Sequence, residues 1–541
     1  MTIAPRPRAA QIRTRRANAL VALAGLALTS GLVATPAVAA PRPPVPATAS
    51  VETLAAGGTT RELARGLTHS AFTLGDPAAV YPWTVQLTLP SGDDAVRASN
   101  VSTRAIADDV AAQLRAAGFD ARVEEVIADR LADSGGSLGY RVRVGRFATQ
   151  AEAVAAQQRI QALDLGAGTW YMGWDGDAVD IDPDGGPVRV QVLTINPKRF
   201  KGEVDATFGR DLETTETTSA MGADALAAIN AGFFVFGAEH GAPGDPAGAG
   251  AYDGRILSET VGDRPALIID HRRGRAAVQR LTWSGSVSAR GRELTLDGIN
   301  RVPGKIRNCG GLGDSPTDAP QHDVTSTAAD EVVAFTPDFG ASTPTGAGVE
   351  VVVDRQGRIV RLQDSRGTQL TKGQISVQAT GAWAPALRKF GASARHVKLT
   401  NEYLDERGRR LAMTPHTQVV NGGPLLVVDG RLHVTAARDG MVQPDNPGAF
   451  YGWTHQRNPR TIAGIDTHGR LVLVTADGRQ TDSVGLSIHE TAELARDLGL
   501  VDAINLDGGG STTMVVGGRV TNSVSGTTER AVGDAIVIRG R

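Results

Sequence analysis

Hydrophobic and polar positions alternate along "YPWTVQLTLP" (81–90), then recur every three to four residues in "VSTRAIADDVAAQLRAAG" (101–118). The first pattern predicts a strand and the second an amphipathic helix. The cycle continues through "FDARVEEVIA", "YRVRVGRF", the helical "ATQAEAVAAQQRIQALD" and "AGTWYMGW". The predicted order is β-α-β-β-α-β, a small ferredoxin-like unit with both helices on one sheet face and the other face left for binding. From Val188 onward short apolar runs alternate with turn signals: "VRVQVLTI", "PALIID", "VEVVVDRQGRIVRLQ", "GPLLVVDGRLHV" and "RLVLVTADGRQ". Asp429-Gly430 and Asp477-Gly478 are expected to close hairpins. Two helices are expected among these strands, over "GADALAAIN" (222–230) and "SIHETAELARDLG" (487–499). The fold class is therefore α+β, with a large mixed, sheet-based domain following the small one.

The start of the chain departs from this pattern. Arg6, Arg8, Arg13, Arg15 and Arg16 precede the apolar run "ALVALAGLALTSGLVA" and the small residues Ala37 and Ala39. A basic region, a short apolar core and a small-residue cut site predict a secretory signal, with no membrane anchor left after cleavage. The large apolar residue of a twin-arginine signal is missing after Arg16, which favours the Sec route and a secreted or cell-wall location. The expected organisation is a signal peptide over 1–39, a linker over 40–78 opening with "PRPPVPATAS", a small domain over 79–175, an acidic linker over 176–187 and the large domain over 188–541. With 56 basic and 58 acidic residues among 541, the chain lacks the basic footprint of a nucleic-acid binder, so that class of partner is excluded. Cys309 is the single cysteine, so no internal disulfide can form.

Chemistry concentrates in "AINLDGGGSTTMVV" (503–516), where a buried strand ends at Asp507 and runs into Gly508, Gly509, Gly510, Ser511, Thr512 and Thr513. Bare backbone and hydroxyl donors suit phosphate or sugar oxygens. No lysine follows the glycines and the chain continues as a strand, which excludes a Walker loop and a dinucleotide fingerprint. Ser511 lacks the G-x-S-x-G elbow of a serine hydrolase. A carboxylate beside phosphate donors is consistent with a substrate that has phosphate on one side of the scissile bond and a sugar on the other. The plainer alternative is a tight turn whose aspartate caps its own backbone. Arg457 and Arg460 in "RNPRT" are candidate phosphate clamps, or solvated surface. Glu490 is a candidate catalytic partner, or the capping-box residue of the helix that begins at Ser487. Asn230, Asn421 and Asn505 end apolar segments close to glycines and can hold sugar hydroxyls or the turns themselves. Asp466 and Asp477 read as turn residues, and the ten histidines show no H-E-x-x-H spacing, which argues against a zinc enzyme.

"WTVQL" and "YRVRVGRFATQAEAVAAQQRIQAL" resemble the SPOR family, whose members bind peptidoglycan glycan strands stripped of stem peptides. Trp83, Trp170, Tyr171 and Trp174 would be either sugar-stacking faces or core aromatics. "INAGFF" (229–234), "VVNGGPLLVVDG" (419–430) and the stretch from "HQRNPRT" through "LDGGGSTT" resemble the phosphodiester glycosidase family. Ala231 stands where that family usually has glycine, and an insertion over 309–331 separates the upstream signatures. The resemblance implies a wall-associated hydrolase of sugar-1-phosphodiester linkages, with Asp507 and Glu490 catalytic. Arg457, Arg460, Thr461, Asn230, Asn421, Gly422, Asn505, Gly508, Gly509, Gly510, Ser511 and Thr512 would bind the sugar phosphate. No cofactor is required on this reading; metal content is left open, with Ca2+ the candidate ion. The alternatives are a non-catalytic wall-polysaccharide binder and an exopolysaccharide assembly factor.

Overall fold

In a computed structural model of the chain, residues 50–90, 98–176, 186–308, 320–443 and 445–541 are described. The expected signal peptide, the proline-rich spacer, most of the 176–187 linker and Cys309 lie outside them. The large domain is organised around an antiparallel eight-stranded sheet. Its order is Thr59–Ala64, Leu67–Leu74, Val188–Ile195, Leu471–Ala476, Arg460–Asp466, Leu500–Asn505, Leu425–Val428 and Arg431–Leu432. The central strands are apolar on both faces because both are covered. On one side Leu193, Leu473 and Ile504 pack with Ile229, Met514 and Ile536 of a second, five-stranded sheet. On the other, Val192, Ile462 and Val474 meet Ile488, Ala492 and Ala495 of the helix Ile488–Asp497. Continuous apolar runs are the signature of strands buried in this way. Two further sheets, of seven and five strands, are built largely from residues 250–421, and the helix Ala384–Ser393 packs on the latter.

Residues 59–74 were expected within the 40–78 linker. They instead form a hairpin whose second strand pairs with Val188–Ile195 along its whole length and buries Leu67 and Phe72. The large domain is thus assembled from segments on both sides of the small one. The helix expected over 222–230 is also corrected. A single helical turn, Thr218–Met221, precedes a strand, Ala227–Asn230, that lies between Met514–Val516 and Ala535–Arg539. Alanine favours helix locally, but a position between two strands, with Ala227, Ala228 and Ile229 at most 1% exposed, overrides that preference. Asp429-Gly430 closes a hairpin with both residues at positive φ, 48° and 72°. Asp477-Gly478 does not. Both neighbours of Leu471–Ala476 are already placed, and buried Asp477 accepts from Asn522 Nδ2 (3.2 Å) and the Ser523 amide (2.9 Å), tying two loops together.

The small domain has strands in the order Ala121–Ala128, Gly136–Phe147, Trp83–Leu87 and Ala167–Tyr171. The helices Arg104–Ala116 and Gln150–Gln161 cover Val85, Leu87, Val142 and Val144 on one face. Strand alternation places Thr84, Gln86, Arg141 and Arg143 on the other face. That face is not free for binding, as the sequence had suggested. Arg143 is fully buried and pairs with Asp175 through two 2.6 Å contacts and with Gln86 at 2.7 and 3.0 Å. The hydroxyl of Tyr451, from the large domain, lies 3.3 Å from Gln86 Oε1 and 3.5 Å from Arg141 Nη1. Of the four candidate stacking aromatics, Trp83 and Tyr171 are buried, and Trp174 joins their cluster while donating from Nε1 to the Gln480 carbonyl across the domain boundary. Trp170 packs edge-on against Trp174 and donates to Asp175. Among the described residues, no helix is long and apolar enough to cross a membrane.

Candidate active site

Asp507 sits just past the end of the strand Leu500–Asn505. Its amide donates to the Ala231 carbonyl (2.9 Å), and its own carbonyl accepts from Asn230 Nδ2 (2.7 Å). The other end of the Asn230 amide accepts from Thr461 Oγ1 (2.9 Å) and the Thr513 amide (3.0 Å). The Thr461 and Thr512 hydroxyls lie 3.3 Å apart. Asn421 grips both backbone groups of Phe233, at 2.9 and 3.1 Å. Asn505 Nδ2 donates to the carbonyls of Gly423 and Leu506. Gly422 passes so close that a Cβ there would lie 2.6 Å from the Asn505 carbonyl oxygen. The side chains of Asn230, Asn421, Asn505, Thr461, Ser511, Thr512 and Thr513 are all buried. These residues join the three sequence signatures into one rigid loop cluster. Buried polar groups are ordinarily matched, and the amides of Asn230, Asn421 and Asn505 are spent on backbone groups, which gives these three a supporting role, whereas Thr461 bonds to the side chains of Asn230 and Thr512.

Above this cluster opens a cavity of about 360 Å³. Asp507 and Gly508–Gly510 form part of its wall, Phe233, Phe234, Phe236 and Trp453 supply aromatic faces, and Arg307, Arg460, Arg479 and Arg530 bring positive charge. Gly509 adopts φ +60°, a left-handed conformation that glycine takes without strain. A Cβ on Gly510 would collide with the Arg530 guanidinium. The Asp507 carboxyl is pushed up to about 7, chiefly by burial. The Ser511 hydroxyl and Arg530 oppose the shift, and Asp323 adds to it. Burial favours the neutral acid because the carboxylate loses hydration, so Asp507 can exchange a proton near neutral pH. Arg460 is 2% exposed and is held by the carbonyls of Leu486 (2.9 Å), Trp453 (2.8 Å) and Gln456 (3.3 Å), with its guanidinium over the Trp453 ring. Burial and neighbouring Arg479 lower it to about 9.

Glu490 and Arg457 do not reach this cavity. Ser487 and Glu490 form the reciprocal capping box of the helix Ile488–Asp497, at 3.2 and 2.8 Å. The same carboxylate accepts from Arg457 at 2.7, 3.0 and 3.1 Å, and Arg457 also donates to the Gly173 carbonyl of the small domain. Both side chains are engaged in holding the helix and the domain boundary, so the structure places the expected catalytic partner Glu490 and phosphate clamp Arg457 away from the cavity that Asp507 lines. The cavity instead brings in residues that no motif marked. His322 and Asp323 come from the 309–331 insertion. Burial holds the His322 imidazole down to about 3, hence neutral, and it packs against Phe233 (4.5 Å) and Trp453 (4.8 Å). Asp323 pairs with Arg307. Arg479 and Arg530 lie in loops; the "GGG" adjoining them was the one available signal, since three successive glycines leave room for long side chains to close in. Asp466, read as a turn residue, accepts from the amides of His468 and Arg470 in the hairpin after Arg460–Asp466. Among the described residues, no group of three or more His, Cys, Asp or Glu side chains is placed to hold a metal ion.

A family model for phosphodiester glycosidases matches residues 347–539, and one for the SPOR domain matches residues 91–172. Residues 347–539 thus form a domain of the phosphodiester glycosidase family. The matched span contains Asn421, Arg460, Asp507 and Arg530, while Phe233 and His322 fall before it. Mouse N-acetylglucosamine-1-phosphodiester alpha-N-acetylglucosaminidase is 34% identical over 159 residues, 29% of each chain; the human protein of that name is 33% identical over 125 residues, 23% of this chain and 24% of the other. The chain thus spans less than a third of the length of those curated relatives. A crystal structure of a candidate exported protein from Burkholderia pseudomallei K96243 is 34% identical, with a TM-score of 0.78, covering 89% of this chain and 96% of that one. The similarity therefore extends through both domains.

Proposed function

We propose that this protein is an exported, wall-associated hydrolase that cleaves the bond between a sugar's anomeric carbon and a phosphodiester. The observation that carries the reading is Asp507, an acid near neutrality, opening onto a cavity lined by both arginines and aromatic rings. Arginine complements phosphate oxygens with planar paired donors. Aromatic faces such as that of Trp453 suit the apolar face of a sugar ring. Arg460 would neutralise the departing phosphate, and Asp507 would exchange the proton needed at the glycosidic oxygen or the attacking water. Asp323, whose charge raises Asp507, replaces Glu490 as the candidate second carboxylate. The family match over residues 347–539 and the named activity of the mammalian relatives support the reaction class. The charge pattern of residues 1–39, the SPOR match and the exported-type relative support the location. A targeting role for the ferredoxin-like small domain keeps its family support, but its polar sheet face, filled by Tyr451 and the Arg143–Asp175 pair, no longer serves as the glycan platform.

The test is incubation of the purified protein with an N-acetylglucosamine-1-phosphodiester and a panel of other sugar-1-phosphodiesters, reading released sugar. Turnover that disappears in Asp507→Asn while ligand binding persists supports the enzyme. Sugar-phosphate binding without any release, and unchanged in Asp507→Asn, would point to a polysaccharide binder or assembly scaffold instead.

A further inference from the structure

The cavity holds more positive charge than one phosphodiester can match. Of its four arginines, only Arg307 has a carboxylate partner, Asp323. Among the described residues, Arg460, Arg479 and Arg530 form no ion pair. Arg460 donates to three carbonyls, Arg479 Nε donates to Asn458 Oδ1 at 3.0 Å, and Arg530 lies 5.2 Å from the centre of the Phe236 ring. They are also close enough to disturb one another: Arg479 lowers Arg460, and Arg530 lowers Arg479, in each case after burial. Even with Asp323 and Asp507 both ionised, four guanidinium groups leave a surplus of two positive charges. A phosphodiester carries one negative charge. Cations held together without a counter-charge are unfavourable until an anion arrives, so the surplus describes the ligand.

The positions divide the work. Arg460 is buried at the back of the cavity, whereas Arg479 and Arg530 are exposed at its mouth, flanking Gly509 and Gly510. We propose that the substrate is a glycosyl phosphodiester whose aglycone carries a second anionic group, with Arg460 on the scissile phosphate and Arg479 and Arg530 on the second anion. This rests on the reaction proposed above and specifies its substrate class as a polyanionic chain rather than a neutral glycoside.

The experiment compares three sugar-1-phosphodiesters with equal aglycone length, ending in a hydroxyl, a carboxylate or a phosphate, on the full-length protein. The expected result is a kcat/KM about tenfold higher for an anionic terminus, the size of one charge-assisted hydrogen bond. Comparison of the carboxylate and phosphate arms identifies the preferred anion. In the Arg479→Gln/Arg530→Gln double variant the preference should shrink to about twofold or less, with folding verified by circular dichroism. Equal kcat/KM for all three termini overturns the inference while leaving the hydrolase reading intact. If none is cleaved, the hydrolase reading fails, and calorimetric binding of glycerol 1-phosphate against glycerol 1,3-bisphosphate decides the charge argument separately. Tighter binding of the bisphosphate that depends on Arg479 and Arg530 sustains it, and equal binding overturns it.

Discussion

Replacing Asp507 by asparagine should remove turnover and at the same time stabilise the fold at alkaline pH. The Asp507 carboxyl is raised from 3.8 to about 7 in the folded chain. Between those values the folded state holds a proton that the unfolded chain has released, so stability falls as pH rises through the window, and the penalty is complete above about pH 7. At about 1.4 kcal/mol per pH unit the shift corresponds to about 4 kcal/mol at most. The carboxyl opens onto a cavity that admits water, so about 2 kcal/mol is the reasonable expectation after screening. Asparagine has nearly the same shape and no charge to desolvate. The difference in unfolding free energy between Asp507→Asn and the native chain should therefore grow by about 2 kcal/mol from pH 4 to pH 8, because other titrating groups cancel in the subtraction. Urea unfolding followed by tryptophan fluorescence at both pH values measures it. A difference that stays flat with pH would mean that Asp507 is ionised throughout, and the proton-exchange role assigned to it would go with it.

Two more substitutions separate supporting residues from the site. Asp175→Ala removes the closer of the two carboxylates paired with the fully buried Arg143 and leaves Glu124 at 3.6 Å, which should cost about 3 kcal/mol in denaturant unfolding; a loss below about 1 kcal/mol would show that the domain boundary is hydrated and loose. Glu490→Ala removes the capping box and the Arg457 pair, and should lower stability by about 2–4 kcal/mol with kcat changed less than about threefold; a hundredfold fall in kcat at unchanged stability would restore Glu490 to the catalytic machinery.

Much of the large domain was legible because its elements are locally unambiguous. The helix after Ser487 carries a capping box and an apolar stripe, Asp429-Gly430 has the chemistry of a tight hairpin turn, and the central strands are apolar without interruption. The three signatures around Asn230, Asn421 and Asp507 were also legible as belonging together, and hydrogen bonds do join them or their immediate neighbours. Less legible was the direction each side chain takes. Arg457 and Arg460 are three residues apart with Pro459 between them; one turns to Glu490 and Gly173, the other to the cavity. Nothing in "RNPRT" distinguishes them, because the segment runs from a helical turn into a strand and carries neither period. Polar residues in a signature can be needed to bind a ligand or to satisfy buried backbone, and the residue types are the same for both tasks.

That ambiguity also explains which residues the motifs left unmarked. A loop cluster that must keep its shape is restricted at Asn230, Asn421 and the glycines, whereas the side chains that meet the ligand can arrive from any loop long enough to reach. His322 and Asp323 come from the insertion, Arg479 from the loop after Leu471–Ala476, and Arg530 from the loop before Ala535–Arg539. Trp453 and Arg460 belong to a segment that also includes Tyr451, whose hydroxyl meets the small domain's polar sheet face. The Trp453 carbonyl that holds Arg460 therefore lies two residues from a contact in the other domain. The Arg143–Asp175 pair reaches that segment through hydrogen bonds, since Arg143 and Tyr451 both donate to Gln86 Oε1, so Asp175→Ala should lower kcat/KM as well as stability.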